Sequence, residues 1–191
     1  VRVYQWNSEN NAWEQLGGDI DGEASGDNSG GSVSLSSDGT ILAIGARLND
    51  GNGSNAGHVR IYQWDSENNA WEQLGDDIDG EANDDYSGNS ISLSSDGTII
   101  AIGAKYNNST VNNAGHVRIY QNINGTWTKL GDDIDGEASG DYSGYSVSLS
   151  SDGTIVAIGA IRNDGNGSNA GHVRIYQWDS ENNAWEQLGD D

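Results

Sequence analysis

The stretch Val59–Leu74 reads VRIYQWDSENNAWEQL and recurs residue for residue at Val173–Leu188; Val1–Leu16 differs from it only at Val3 and Asn7. A diverged copy, VRIYQNINGTWTKL, opens at Val117. The copies start at residues 1, 59, 117 and 173, so the period is 58, 58 and 56 residues, the short interval reflecting a turn after Gln121 that has lost two residues. Such a period is long for a helical solenoid unit and suits a four-stranded propeller blade with generous loops.

Each unit reads as four strands. Strand A, Ser32 to Ser36, alternates Ser with Val33 and Leu35, which is the period-two signature of one apolar face. Ser37-Asp38-Gly39-Thr40 supplies a tight turn. Strand B, Ile41 to Ala46, is apolar throughout, as expected of a strand covered on both faces. Strand C is His58 to Trp64, and strand D, Ala70 to Gly75, follows the polar turn 65–69. The expected fold is all-β: tandem four-stranded antiparallel blades of a β-propeller, about 3.5 of them. The expected units are a half blade at 1–16 (strands C and D), then blades at 17–74, 75–130 and 131–191, all in one repeat domain. One unit alone cannot bury its apolar faces, so neighbours must stack. Strands A and B each occur three times and strands C and D four times. The expectation is therefore a longer parent chain of further repeats, or neighbouring copies in an assembly, that supply the missing strands.

Composition narrows the function. The chain has no Cys, which excludes disulfides, thiol catalysis and zinc ribbons. Its net charge of -22 argues against nucleic-acid binding, which needs a basic surface. No apolar run is long enough for insertion into a membrane as a helix. Seven Trp and eight Tyr distinguish it from a disordered acidic chain. Trp13, Trp71, Trp127 and Trp185 of strand D, with Ile44, Ile102 and Ile158 of strand B, are the expected blade core. A sugar-stacking platform on each blade is the alternative role for the Trp residues.

The run Ser143-Gly144-Tyr145-Ser146-Val147, then Ile155-Val156-Ala157-Ile158-Gly159-Ala160, then Gly171-His172-Val173-Arg174-Ile175-Tyr176, resembles the FG-GAP repeat, the blade of integrin alpha-subunit propellers. The shared features are Gly30, Gly88 and Gly144 before strand A, and Gly45, Gly103 and Gly159 near the end of strand B. Ser29, Ser87 and Ser143 stand where the family has Phe, and Arg47, Lys105 and Ile161 where it has Pro. The family's Asp-rich calcium loop between strands A and B is replaced by Ser-Ser-Asp-Gly-Thr. The resemblance implies an extracellular location, secreted or at the cell surface, and a role in adhesion or binding to a protein or glycan ligand.

Most acidic residues fall in the D-to-A and B-to-C connections, which the resemblance implies share one propeller face. A solvated anionic surface accounts for this; calcium, which takes clustered oxygen ligands, is the functional alternative. The candidate ligands are Asp77, Asp79 and Glu81, their equivalents Asp133, Asp135 and Glu137, and Asp50 with Asn52. No catalytic residues are expected. His58, His116 and His172 occupy one repeated position, which marks architecture rather than a single active site. Arg2, Arg60, Arg118 and Arg174 repeat likewise on strand C and are expected to pair with carboxylates between blades. Glycosylation sequons occur at Asn52, Asn107, Asn108, Asn124 and Asn166. The functional expectation is a non-catalytic binding or adhesion segment. Its alternatives are a structural unit of a filament, sheath or surface layer, and a multivalent carbohydrate-binding propeller.

Overall fold

The computed structural model describes residues 1–190. It opens on a hairpin, β1 (Tyr4–Asn7) and β2 (Ala12–Gln15), followed by three antiparallel sheets. The first sheet holds β3 (Ser32–Leu35), β4 (Ile41–Ala46), β5 (His58–Asp65) and β6 (Ala70–Gln73), side by side in that order. A two-residue strand, β7 (Ile78–Asp79), pairs with His58 and Val59 at the start of β5. The second sheet repeats the pattern with β8 (Ser90–Leu93), β9 (Ile99–Ala104), β10 (His116–Ile123), β11 (Thr126–Lys129) and β12 (Ile134–Asp135). The third holds β13 (Ser143–Leu149), β14 (Ile155–Ala160), β15 (His172–Asp179) and β16 (Ala184–Gln187). The chain is thus an all-β protein of repeated four-stranded sheets, about three to four blade-like units.

One expectation shifts. Strand D does not end at Gly75: after a short bulge it resumes as β7, and as β12 in the next blade. The unit boundaries read at 74/75 and 130/131 therefore fall inside the outer strand. Asp77, Asp79, Asp133 and Asp135 sit in or beside that strand, not in a loop on the face.

The turns form for local reasons. Asp38 Oδ1 accepts from Ser36 Oγ at 2.7 Å and from the Thr40 amide at 3.0 Å, while Ser36 Oγ accepts from the Ile41 amide at 2.9 Å. Gly39 takes φ +74°, which a side chain would resist. Asp96 and Asp152 build the same turn in their blades. In the β5–β6 turn, Asp65 Oδ1 accepts from the amides of Glu67 and Asn68.

Neighbouring blades join at three levels. At the inner strands they touch backbone to backbone. A Cβ on Gly45 would overlap the Gly88 carbonyl oxygen, and one on Gly103 would overlap that of Gly144. Ser32 Oγ and Ser90 Oγ donate to those same carbonyls at 2.7 and 2.8 Å. In the middle, Val59, Ile61 and Ile78 of one blade pack on Leu93, Ile100 and Ile102 of the next. At the outer strands, the indoles of Trp71, Trp127 and Trp185 donate to the carbonyls of Leu16, Leu74 and Leu130 in the preceding unit at 2.9–3.0 Å.

The neighbour, not the residue, creates the burial. Val59 and Val117 are 0% exposed, whereas the equivalent Val173 of the last blade is 59% exposed. Ile44, Ile102 and Ile158 are fully buried in the clusters between blades. Trp71, Trp127 and Trp185 are partly buried against the same clusters. Trp13 departs from its expected place in the core: it is 66% exposed, and no described residue offers it the carbonyl that Trp71, Trp127 and Trp185 find in the preceding unit.

Gly103→Ala should lower unfolding free energy by about 1–3 kcal/mol more than Gly159→Ala, whose Cβ would meet only the Ser146 side of its own sheet. Urea titration of both variants measures this; equal losses would contradict backbone contact between blades. In the same assay Trp127→Ala should cost about 3 kcal/mol and Trp13→Ala within about 0.5 kcal/mol of zero.

Candidate functional site

Alternation along β5 puts Val59 and Ile61 toward the next blade and His58 and Arg60 toward the preceding unit. His58 is buried, and its Nδ1 lies 3.4 Å from Asp77 Oδ2 and 3.7 Å from Glu23 Oε2. One blade on, His116 Nδ1 lies 4.0 Å from Asp133 Oδ2, with Glu81 completing the group. Among the described residues these are the two groups of three whose ligand atoms converge within 4.8 Å. Both are geometrically compatible with a metal site. In the third blade His172 lies 3.8 Å from Glu137.

Cations already serve these carboxylates. Arg118 is buried; its Nη2 donates to the Asp79 carbonyl at 2.7 Å, and its Nη1 lies 3.5 Å from Glu81 Oε1. Arg60 and Arg174 do the same with Asp21 and Glu23, and with Asp135 and Glu137. Each buried guanidinium therefore ties a strand to the backbone and to a glutamate of the preceding unit, the inter-blade role expected of these arginines; Arg2 departs from it, being exposed and paired with Asp19 of its own unit. Lys129 pairs directly with Asp133, where the first blade has Gln73 donating to Asp77 at 2.6 Å.

The structure divides the acidic runs that sequence reading treated as single loops. Asp77 faces His58, whereas Glu81 crosses to Arg118 and His116 in the next blade. Asp133 and Glu137 split in the same way. The outer strand separates them, because β7 and β12 carry the chain from one interface to the next. Asp79 and Asp135 stay beside the first members, where burial and then the neighbouring Asp77 or Asp133 raise both above the usual carboxylate range. Asp50 accepts the Asn55 amide and closes its own loop, while Asn52 donates to the Gly80 carbonyl.

A second buried set was missed in the sequence. Asp85 Oδ2 accepts from the Ala82 amide and from Asn107 Nδ2, both at 3.0 Å. Asp27 with Asn49 and Asp141 with Asn163 repeat the bond. These pairs clamp each D-to-A connection to the B-to-C loop. Their signal was constancy in all three units while the residues beside them change. The clamp also corrects one sequon: Asn107 is buried with its amide nitrogen committed, so it has no room for a glycan. Asn52, Asn108, Asn124 and Asn166 are exposed.

Electrostatics follow from burial. Burial and the adjacent Arg118 lower His116 to about 4, and neither ring nitrogen has a hydrogen-bond partner among the described residues. The exposed Asp152 is held at about 2 by the Ser150 hydroxyl and the Thr154 amide. No helix among the described residues is long and apolar enough to cross a membrane.

The FG-GAP repeat family matches residues 20–62 and 134–176. Both matches run from the end of one outer strand through strands A, B and C of the next blade. The chain thus carries a partial FG-GAP-like motif on a propeller-like scaffold. No curated protein matches it. Among solved structures, a periplasmic gluconolactonase of Pseudomonas aeruginosa superposes with a TM-score of 0.60 at 15% identity, over 100% of this chain and 51% of that one. A protein from Lactobacillus plantarum gives 0.60 and 15%, over 98% and 48%. The chain spans about half the length of these structures, and at such identity they share its fold alone.

His116 stays neutral in the folded chain down to about pH 4, whereas an unfolded histidine takes its proton near 6.5. The stability it lends is complete above pH 6.5 and is lost as pH falls toward 4. Asp79, Asp85 and Asp135 are raised by burial and pull the other way as pH falls, so the histidine's share is read between about pH 4 and 6.5 as the difference between the wild type and His116→Gln. Thermal unfolding across that window should show stability falling with pH, and His116→Gln should flatten the slope; an unchanged slope would contradict the burial of a neutral imidazole. Peptide mapping of chain secreted from eukaryotic cells should find Asn108 glycosylated and Asn107 bare; a glycan on Asn107 would mean that the Asp85 clamp does not form.

Proposed function

We propose that this chain is a non-catalytic extracellular β-propeller segment that acts by binding or adhesion. The observation that carries the reading is where the units differ. The glycine, serine, histidine, arginine and strand D tryptophan positions that join the blades are the same in every complete unit. Among the positions that differ are Asn28, Tyr86 and Tyr142; Gly31, Asn89 and Tyr145; and Leu48, Tyr106 and Arg162. All of these lie at the ends of strands A and B on the face formed by the D-to-A and B-to-C connections. A ligand site needs such asymmetry, and packing does not. The titratable groups, in contrast, repeat at every interface and are paired there with arginine, which supports architecture over a single catalytic centre. The exposed sequons and the partial FG-GAP motif support the extracellular reading.

A multivalent carbohydrate-binding role is the second reading. Trp64 with Gln63 and Glu72, and Trp178 with Gln177 and Glu186, line equivalent grooves along the outer hairpins. Calcium has less support. The converging groups offer one imidazole nitrogen and two carboxylates, whereas calcium takes oxygen ligands. That donor set suits zinc better, and Arg118 and Lys129 already balance the charge in the second group.

The chain should be retained by at least one surface in a panel of immobilised glycans and matrix proteins, with the soluble ligand recovered chemically unaltered. Retention by none would overturn the binding reading, and conversion of the ligand would overturn the non-catalytic one. Millimolar calcium should leave the melting temperature unmoved; a clear rise would restore the calcium reading.

A further inference from the structure

The differing positions meet as an aromatic and cationic rim. Tyr86 and Tyr142 stand edge-on to Tyr106, with ring centroids 4.9 and 5.0 Å apart. The Lys105 ammonium lies 5.1 Å from the Tyr106 centroid and 5.0 Å from that of Tyr145. The Arg162 guanidinium lies 4.6 Å from the Tyr142 centroid and donates from Nη1 to its phenol oxygen at 3.2 Å. Arg47 occupies the position of Lys105 in the preceding blade.

Charge makes this rim unusual. The chain has eight Lys and Arg against 30 Asp and Glu. Arg60, Arg118 and Arg174 are buried between blades, Arg2 pairs with Asp19 and Lys129 with Asp133. The remaining three, Arg47, Lys105 and Arg162, have no carboxylate in ion-pair range among the described residues. For Lys105 and Arg162, tyrosine rings take the place that a counter-ion would fill. Backbone strain points the same way. Tyr86 and Tyr142 hold φ of 58° and 60°, a region that bulky residues avoid, where the first unit uses Asn28. Non-glycine residues persist in such conformations where the surroundings over-determine them, and they cluster at ligand sites. Here the buried Asp85–Asn107 and Asp141–Asn163 bonds clamp the loops that carry them.

We propose that this rim binds a carboxylate-bearing oligosaccharide, a chain containing uronic acid. The inference rests on the binding reading above and names its ligand. Unpaired cations beside tyrosines suit a sugar whose ring lies on the half-open Tyr145 and whose carboxylate meets Lys105 or Arg162. A small inorganic anion would use the donors and leave the tyrosines without a role. A polyanion of high charge density would meet the repulsion of a chain carrying -22.

Titration calorimetry of the whole chain at low salt, with trigalacturonic acid and its methyl ester as probes, tests the proposal. The acid should bind, and the ester should bind at least roughly tenfold more weakly because its charge is gone. Lys105→Gln and Arg162→Gln should each weaken the acid by roughly fivefold or more with the melting temperature unchanged, and Tyr145→Leu should weaken both probes. Equal binding of acid and ester, or wild-type affinity in Lys105→Gln, would overturn the proposal. Tighter binding of a tetraglutamate peptide would also overturn it, in favour of an acidic protein partner. Retention by another surface of the panel without uronate binding sinks this proposal and leaves the binding reading standing. Cleavage of the bound uronate sinks the non-catalytic reading and leaves the site standing.

Discussion

The contact on which the structure depends is the approach of one sheet's backbone to the next at the inner strands. Gly45 faces the carbonyl of Gly88, and Gly103 faces that of Gly144, closer than any side chain would permit. Serine hydroxyls from β3 and β8 satisfy those carbonyls, so the close approach leaves no buried acceptor unpaired. With the inner edge pinned there, the middle of the sheets meets at side-chain distance and the aliphatic residues of β4, β5, β9 and β10 interlock. The outer edge then lies far enough apart to need tryptophan. The wedge shape of a blade follows from this grading of residue size from glycine through isoleucine to tryptophan.

The charge pattern is subordinate to that packing. A chain with so many carboxylates must keep them apart or pair them. The buried arginines do this at each interface, each held by a backbone carbonyl and facing a glutamate of the preceding unit. Because the partner belongs to another unit, the pairing reports correct stacking. The histidines sit in the same seams but are kept neutral by their surroundings in at least the second blade, where burial lowers His116 to about 4. The seams are fasteners, identical because every interface has the same task. At the rim of Tyr86, Tyr106, Tyr142 and Lys105 the units differ, and there neighbouring blades meet ring to ring and ring to cation.

How much was legible in the sequence depended on the range of the interaction. Strand periodicity, the Ser-Ser-Asp-Gly-Thr turns and the span of β4 were readable because each depends on residues a few positions apart. The repeat itself implied stacked sheets, since no unit could bury Ile44 or Ile102 alone. The acidic runs misled because alternating carboxylates look like a loop for one ion. The return of the outer strand as β7 and β12 sends Asp77 to one seam and Glu81 to the next. Nothing in the local pattern signals that return, which is made by pairing with His58 and Val59 some twenty residues earlier.

By itself, the sequence determined the all-β class, the blade period, the turns and the candidates for burial, because these are set by backbone preference and by hydrophobic alternation along a strand. Only the tertiary structure decided which candidates are buried. Trp71 and Trp13 occupy the same place in identical strands, yet one bonds to the preceding unit and the other faces solvent. It also decided that Asp27, Asp85 and Asp141 bond to asparagines 22 residues away, and that Lys105 and Arg162 of consecutive blades stand beside tyrosines on one rim, with no carboxylate in ion-pair range among the described residues. The physical reason is the same in each case: burial and pairing belong to the contact between sheets, and that contact exists only once the blades have stacked.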